Sequence, residues 1–154
     1  MRLRLATFGD ARRLLDWAND PGTRAASGGR DEIPWDRHLQ WLASRLQDDS
    51  ALVFVGESAV GEAVGSIRFE TEDGWRSAVL SYVVAPDSRG RGFGRALLVE
   101  GVAAIRRIHP AAVLGAEVQL DNPRSVRLFE SLGWDVGDRD EVRIRFLERS
   151  GVPA

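Results

Sequence analysis

The chain has 154 residues, 44% hydrophobic and 29% charged, with a formal net charge of −2. That length and composition suit one globular domain, not a disordered segment, and the charge gives no global case for nucleic-acid binding. With no cysteine and only His38 and His109 as imidazoles, disulfides, thiolate zinc sites and a cysteine nucleophile are excluded, and no metal is expected.

No apolar leader opens the chain, and no stretch approaches the roughly 18 apolar residues that span a bilayer. A cytoplasmic protein is expected. Arg2–Ala6 alternates Arg and Leu and reads as a strand. A helix follows with Asp10 as N-cap and Ala11, Leu14, Leu15 and Ala18 as its apolar stripe, ending before Pro21. Thr23–Arg30 reads as a loop, and Pro34–Gln47 as a second helix with Trp35, Leu39, Leu42 and Leu46 on its core face. Strands follow at Ala51–Gly56 and Ala63–Glu70, then a turn at Asp73-Gly74 and a strand from Trp75 to Val84, stopped by Pro86. A Gly-rich turn leads into a helix over Arg91–Ile108. Ala112–Gln119 is a strand, Pro123–Ser131 a short helix punctuated by Gly133, and Val142–Leu147 a strand, with one more short strand near Trp134. One mixed α/β domain over residues 1–154 is predicted.

The turn Arg89-Gly90-Arg91-Gly92-Phe93-Gly94-Arg95 lies between a strand and a helix. Its glycines permit positive φ, and successive N–H groups at a helix start converge on an anion, with Arg89, Arg91 and Arg95 adding charge. A P-loop would need Gly-Lys-Ser/Thr, and a dinucleotide fingerprint would need a small residue where Arg95 stands. Both are excluded, and a plain tight turn is the alternative to a phosphate cradle.

The spacing Arg89-x-x-Gly92-x-Gly94, after Val83-Val84-Ala85-Pro86, resembles the acetyl-CoA motif of the GNAT superfamily of acyl-CoA N-acyltransferases. The block from Asp121-Asn122 through Ser125, Leu128, Phe129-Glu130 and Gly133 to Trp134 resembles that family's second motif. The resemblance covers nearly the whole chain. It implies a GNAT fold: a single mixed six- or seven-stranded sheet, helices on both faces, and splayed central parallel strands that admit the pantetheine arm. It implies acetyl-CoA as co-substrate, with a backbone N–H near Val83 or Val84 facing the thioester and Asn122, Ser125 and Phe129 on the pantetheine side.

The implied reaction is direct attack of an amine on the thioester. Glu117 is the candidate base: in Val113–Leu120 it stands off the apolar face, 12 residues before Phe129, matching the acid–base spacing of some protein-acetylating relatives. A solvated strand carboxylate is the alternative. The family often has a tyrosine at position 129 as acid toward the thiolate. Phe129 cannot act so, which leaves Ser125 or water to meet the sulfur, with Tyr82 a weaker candidate.

For the acceptor, Trp17-x-Asn19-Asp20 followed by Arg24, then Ile33, His38 and Trp41-Leu42, resembles the branch with sugar-nucleotide aminosugar N-acetyltransferases of the pseudaminic acid pathway kind. It occurs in looser form in ribosomal-protein and polyamine acetyltransferases. His38, Trp41 and Arg45 form a helical stripe suited to a ring plus phosphate, with Arg24 and Arg68 as further anion ligands and Tyr82 lining the cleft. The expected acceptor is thus the amine of a nucleotide-linked amino sugar, with a protein N-terminus or polyamine as alternative and a non-catalytic acyl-CoA-binding module as the other class. A basic acceptor predicts an acidic cleft, and a nucleotide sugar a basic one. A homodimer is common in the superfamily.

Overall fold

The computed structural model describes residues 1–28 and 31–149; Gly29 and Arg30, at the end of the predicted loop, lie outside them. Its strands are β1 (Arg2–Leu5), β2 (Ala51–Glu57), β3 (Ala63–Glu70), β4 (Ser77–Val84), β5 (Val113–Gln119), β6 (Asp135–Arg139) and β7 (Arg143–Leu147). Its helices are α1 (Ala11–Asn19), α2 (Pro21–Ala26), α3 (Trp35–Gln47), α4 (Phe93–Ile108) and α5 (Pro123–Ser131). The strands form one sheet in the order β1-β2-β3-β4-β5-β7-β6, antiparallel throughout except where β4 runs parallel to β5.

Alternation along each strand sorts side chains to two faces. One face carries Ile67, Phe69, Ala78, Leu80, Leu114, Ala116 and Val118 under α4 and α5, whose Leu97, Leu98, Ile105 and Phe129 complete the larger core. The other presents Val53, Val55 and Val83 to α1 and α3, which contribute Ala11, Leu14, Trp17 and Leu42. Those two helices stop short of β5 and β7, so Val79, Ser81, Glu117, Arg143 and Arg145 stand open on that face.

Outside the Gly-rich turn, the predicted elements recur with four main differences. Thr23–Arg30 is not all loop: Asp20 accepts the Thr23 N–H at 3.2 Å and Pro21 takes the first helical position, which starts α2. Trp35 leaves the core stripe of α3 for the surface, where the Arg12 guanidinium lies 4.1 Å from its ring centre, and His38 is buried in its place. The strand after the turn begins at Ser77, because Gly74 and Trp75 both take positive φ and Asp73 caps Ser77 instead. Asp10 precedes α1 but does not cap it.

Asp10 instead binds both guanidinium nitrogens of Arg4 at 2.8 Å, the Thr7 N–H at 2.9 Å and Arg13 at 3.0 Å. Arg4 also reaches Glu57, so this buried carboxylate ties β1 to β2 and to the start of α1. The hydrogen bonds from Arg4 hold the Asp10 carboxyl at about 2 despite its burial. A depressed carboxylate pKa stabilises the fold above the unfolded value and loses that contribution as pH falls through the folded one. The shift corresponds to about 2 kcal/mol. Asp10→Asn should therefore lower stability by about that amount at pH 7, and the difference from wild type should vanish between about pH 4 and pH 2. Urea unfolding across that range checks it; a pH-independent difference would contradict it.

Candidate active site

Pairing between β4 and β5 covers only Ser77–Val113, Ala78–Leu114 and Val79–Gly115. Beyond that point β4 stays paired with β3 up to Val84, and β5 with β7 up to Gln119. The two strands thus part, opening a slot between Leu80–Val84 and Ala116–Gln119. The Ala85 N–H bonds Val64 at 2.8 Å. Alternation along an antiparallel ladder then turns the Val83 N–H toward β3 and the N–H groups of Tyr82 and Val84 toward the slot. Of the two predicted donors, Val84 is the one that faces it.

The Gly-rich turn follows directly. Gly90 (φ 74°) and Gly92 (φ 85°) adopt left-handed backbone, and nothing lies within 4 Å of where a Cβ would stand on either. Left-handed Gly92 is also why α4 begins at Phe93 and not at the predicted Arg91. No side chain caps α4, so the N–H groups of its first turn, from Phe93, Gly94 and Arg95, remain available at a helix positive pole. Such an open cradle fits a pyrophosphate. The arginines behave differently from one another. Arg91 lies over the Phe93 ring at 5.1 Å, Arg95 bonds Ser131 at 3.2 Å, and Arg89 turns away to Asp20 (2.8 Å) and Thr23 (2.9 Å).

On the α4–α5 side of the slot, the Tyr82 hydroxyl meets Ser125 Oγ at 3.0 Å, joining β4 to the start of α5. Burial raises the Tyr82 pKa, the Ser125 bond opposing it, so the phenol is protonated at neutral pH. Asn122 Oδ1 caps α5 through the Ser125 N–H at 3.3 Å, leaving its amide NH2 as the group able to reach a ligand. Phe129 is 1% exposed, stacked on Phe146 at 5.1 Å and edge-on to Trp134 and Tyr82. It is core, which corrects its expected place against the cofactor: the face it shares with Ser125 points inward.

The opposite face holds Glu117. Since Val79 and Gly115 are in register, Ser81 and Glu117, two residues further along, project to that same face on either side of the slot. Arg68 pairs with Ser81, and Glu117 with Arg145, so Arg68, Ser81, Glu117 and Arg145 make one row across the sheet. Glu117 is half exposed and contacts Arg143 at 3.3 Å. Arg68 lies 5.1 Å from the centre of the Trp41 ring.

The predicted acceptor motif is largely structural. Trp17 is buried among the α1–α3 core, and His38 is buried with Nε2 2.9 Å from the Ala11 carbonyl, burial lowering its pKa. Both are corrected from acceptor ligands to core residues. Asn19 pins the backbone of Ile33 through bonds of 2.7 and 3.0 Å, and Arg24 Nε bonds the Ala18 carbonyl at 2.7 Å. Asp20 does two tasks, capping α2 and holding Arg89, whose hydrogen bond lowers the Asp20 pKa. Asp20 and Thr23 were missed as functional residues, although Asp20-Pro21 is a helix-start signal.

The pattern of the Acetyltransferase (GNAT) domain matches residues 1–135. The chain belongs to this family. It is therefore an acetyl-CoA-dependent N-acetyltransferase, and the sheet with its parted central strands is the GNAT fold. Among solved structures, it is similar to a spermidine N-acetyltransferase from Vibrio cholerae in complex with CoA and spermine, with TM-score 0.86, 22% identity and coverage of 96% of this chain and 94% of that one. It is also similar to a ribosomal-protein-alanine N-acetyltransferase from Brucella melitensis, with TM-score 0.80, 26% identity and coverage of 96% and 99%. No curated protein sequence matches. Among the described residues, no helix is long and apolar enough to cross a membrane, and no group of three His, Asp or Glu is placed to hold a metal ion.

The Asp20–Arg89 contact ties the acceptor-side helix α2 to the cofactor turn. Asp20→Ala should raise the acceptor KM about 5-fold, the scale of one lost cap, with little change in kcat. Asp20→Asn, which retains a capping oxygen, should raise it less. Steady-state kinetics decide, and an unchanged KM in Asp20→Ala would contradict the role.

Proposed function

We propose that this enzyme acetylates the N-terminal amine of a peptide or protein chain. The observation that carries the reading is the acceptor face itself, an uncovered trough in which Arg24, Arg45, Arg68, Arg139, Arg143 and Arg145 stand among Asp48, Glu70, Glu117, Asp138 and Asp140, a lining of mixed sign. A polyamine, all positive, calls for an acidic cleft, whereas here Asp48, Glu70 and Glu117 each have a guanidinium beside them. The nucleotide-sugar reading loses Trp17 and His38, two of the residues on which it rested, to the core. The similar solved structures are named for polyamine and ribosomal-protein acetylation, and the latter is the more similar in sequence.

The chemistry follows from the two sides of the slot. The acceptor ammonium reaches the slot from the α1–α3 face and gives its proton to Glu117. Glu117 passes that proton to solvent, and the free amine attacks the thioester carbonyl, forming the C–N bond and giving its second proton to Glu117, while the developing oxyanion is met by the N–H of Val84. As the C–S bond breaks, the thiolate takes a proton from the Tyr82 hydroxyl, which Ser125 orients and Ser125 or water reprotonates. Phe129, lacking a hydroxyl, has no part in this transfer.

Glu117→Gln should lower kcat about 100-fold, and the residual rate should climb with pH as more acceptor is already unprotonated. Thiol release from acetyl-CoA is the assay, with an alanine-initiated peptide, spermidine and a UDP-4-amino sugar offered in parallel. The peptide should be the preferred acceptor. An unchanged pH–rate profile in Glu117→Gln removes Glu117 as base, and preference for either other amine removes the peptide reading.

A further inference from the structure

The acceptor row ends at a charged cluster that neither the fold nor the acetyl transfer requires. Glu70 bridges two arginines there, lying 3.2 Å from Arg45 and 2.7 Å from Arg68. The Arg68 contact is an ion pair without a hydrogen bond, since Arg68 Nε is not aimed at the carboxylate; Nε of Arg45 is likewise buried without a partner. Asp48 touches the other edge of Arg45 at 3.6 Å. Arg24 has no carboxylate partner among the described residues, its single bond being the one from Nε to the Ala18 carbonyl. It is near enough to Arg68, as is Arg45, for their charges to oppose that of Arg68. Trp41 lies beneath Arg68 and limits where its guanidinium can swing.

Three guanidiniums against two carboxylates, Glu70 and Asp48, retain an excess of positive charge, and the outer nitrogens of Arg24 and Arg68 make no hydrogen bond to another described residue. Planar guanidinium edges held in this way are built to take a carboxylate. Arg68 stands two strands from Glu117, across Ser81 and the slot; two paired spacings would be on the order of 10 Å, and the parting of β4 from β5 adds to that. An extended peptide rises about 3.3 Å per residue, so that gap takes about three residues or more.

We infer that Arg24 and Arg68, the latter braced through Glu70 by Arg45, bind an acidic side chain of the acceptor at its third or fourth residue, making the substrate a peptide with an acidic N-terminal segment. This rests on the peptide reading above and adds a sequence preference to it. Arg68 and Arg24 are specificity-determining residues in this scheme, remote from the reacting atoms.

The test is thiol-release kinetics on peptides identical except at the third residue, which is Asp, Asn or Lys. The expected order of kcat/KM is Asp above Asn above Lys, at least 10-fold from first to last and carried mainly by KM. Arg24→Glu should invert that order and Arg68→Met should flatten it. Equal turnover of all three peptides would overturn the inference and leave the peptide reading standing. Turnover of spermidine or the UDP-amino sugar with no peptide acetylated would overturn both. Preference for Asp that persists unchanged in Arg24→Glu and in Arg68→Met would place the acidic contact elsewhere and overturn the assignment.

Discussion

The active site depends on a single constraint, the parting of β4 from β5 after Val79 and Gly115. Each strand keeps its outer partner, β4 with β3 and β5 with β7, so the ladder between them ends while both continue. Backbone groups that would have paired across the sheet are left unspent there. The slot also joins the two faces of the sheet, each of which carries its own packed core. The Gly-rich turn lies at the end of β4, and the open trough with Glu117 lies on the face that α1 and α3 leave uncovered. Donor and acceptor can therefore meet without sharing an entrance.

Two contacts hold this divided structure in register. Tyr82 and Ser125 bond across the slot, linking the halves of the sheet through the start of α5. Arg89 leaves the cradle for Asp20 and Thr23, linking the cofactor turn to the helix that carries Arg24. The first residue of the Gly-rich motif is thus spent on α2, and what the turn itself presents to an anion is backbone N–H groups and the α4 dipole.

Much of this was legible in the sequence because it was written in local signals. Alternation in β1 to β5, the Asp73-Gly74 turn, the glycines at 90 and 92, and Pro123 at the start of α5 each act within a few residues. Glu117 could be placed off the apolar face from its strand alone. The errors came where burial is decided by packing between elements. Trp17 and His38 have the chemistry of ligands, but the spacing along one helix does not reveal that α1 and α3 close over them. His38 displaced Trp35 from the buried stripe because its imidazole satisfies the Ala11 carbonyl, a bond spanning 27 residues. Phe129 and Ser125 share a helical face as expected, yet that face turns inward. The Asp20–Arg89 pair joins residues 69 apart, and nothing local announces it.

The central claim is that the slot beside Val84 receives the thioester arm, and backbone amide exchange tests it most directly. The N–H groups of Tyr82 and Val84 face the slot, whereas that of Val83 is already spent on the β3 ladder. Coenzyme A should slow exchange at Tyr82, Val84 and the Gly90–Gly94 amides and leave Val83 nearly unchanged. Protection confined to the Gly90–Gly94 amides, or no protection on β4 at all, would contradict the account.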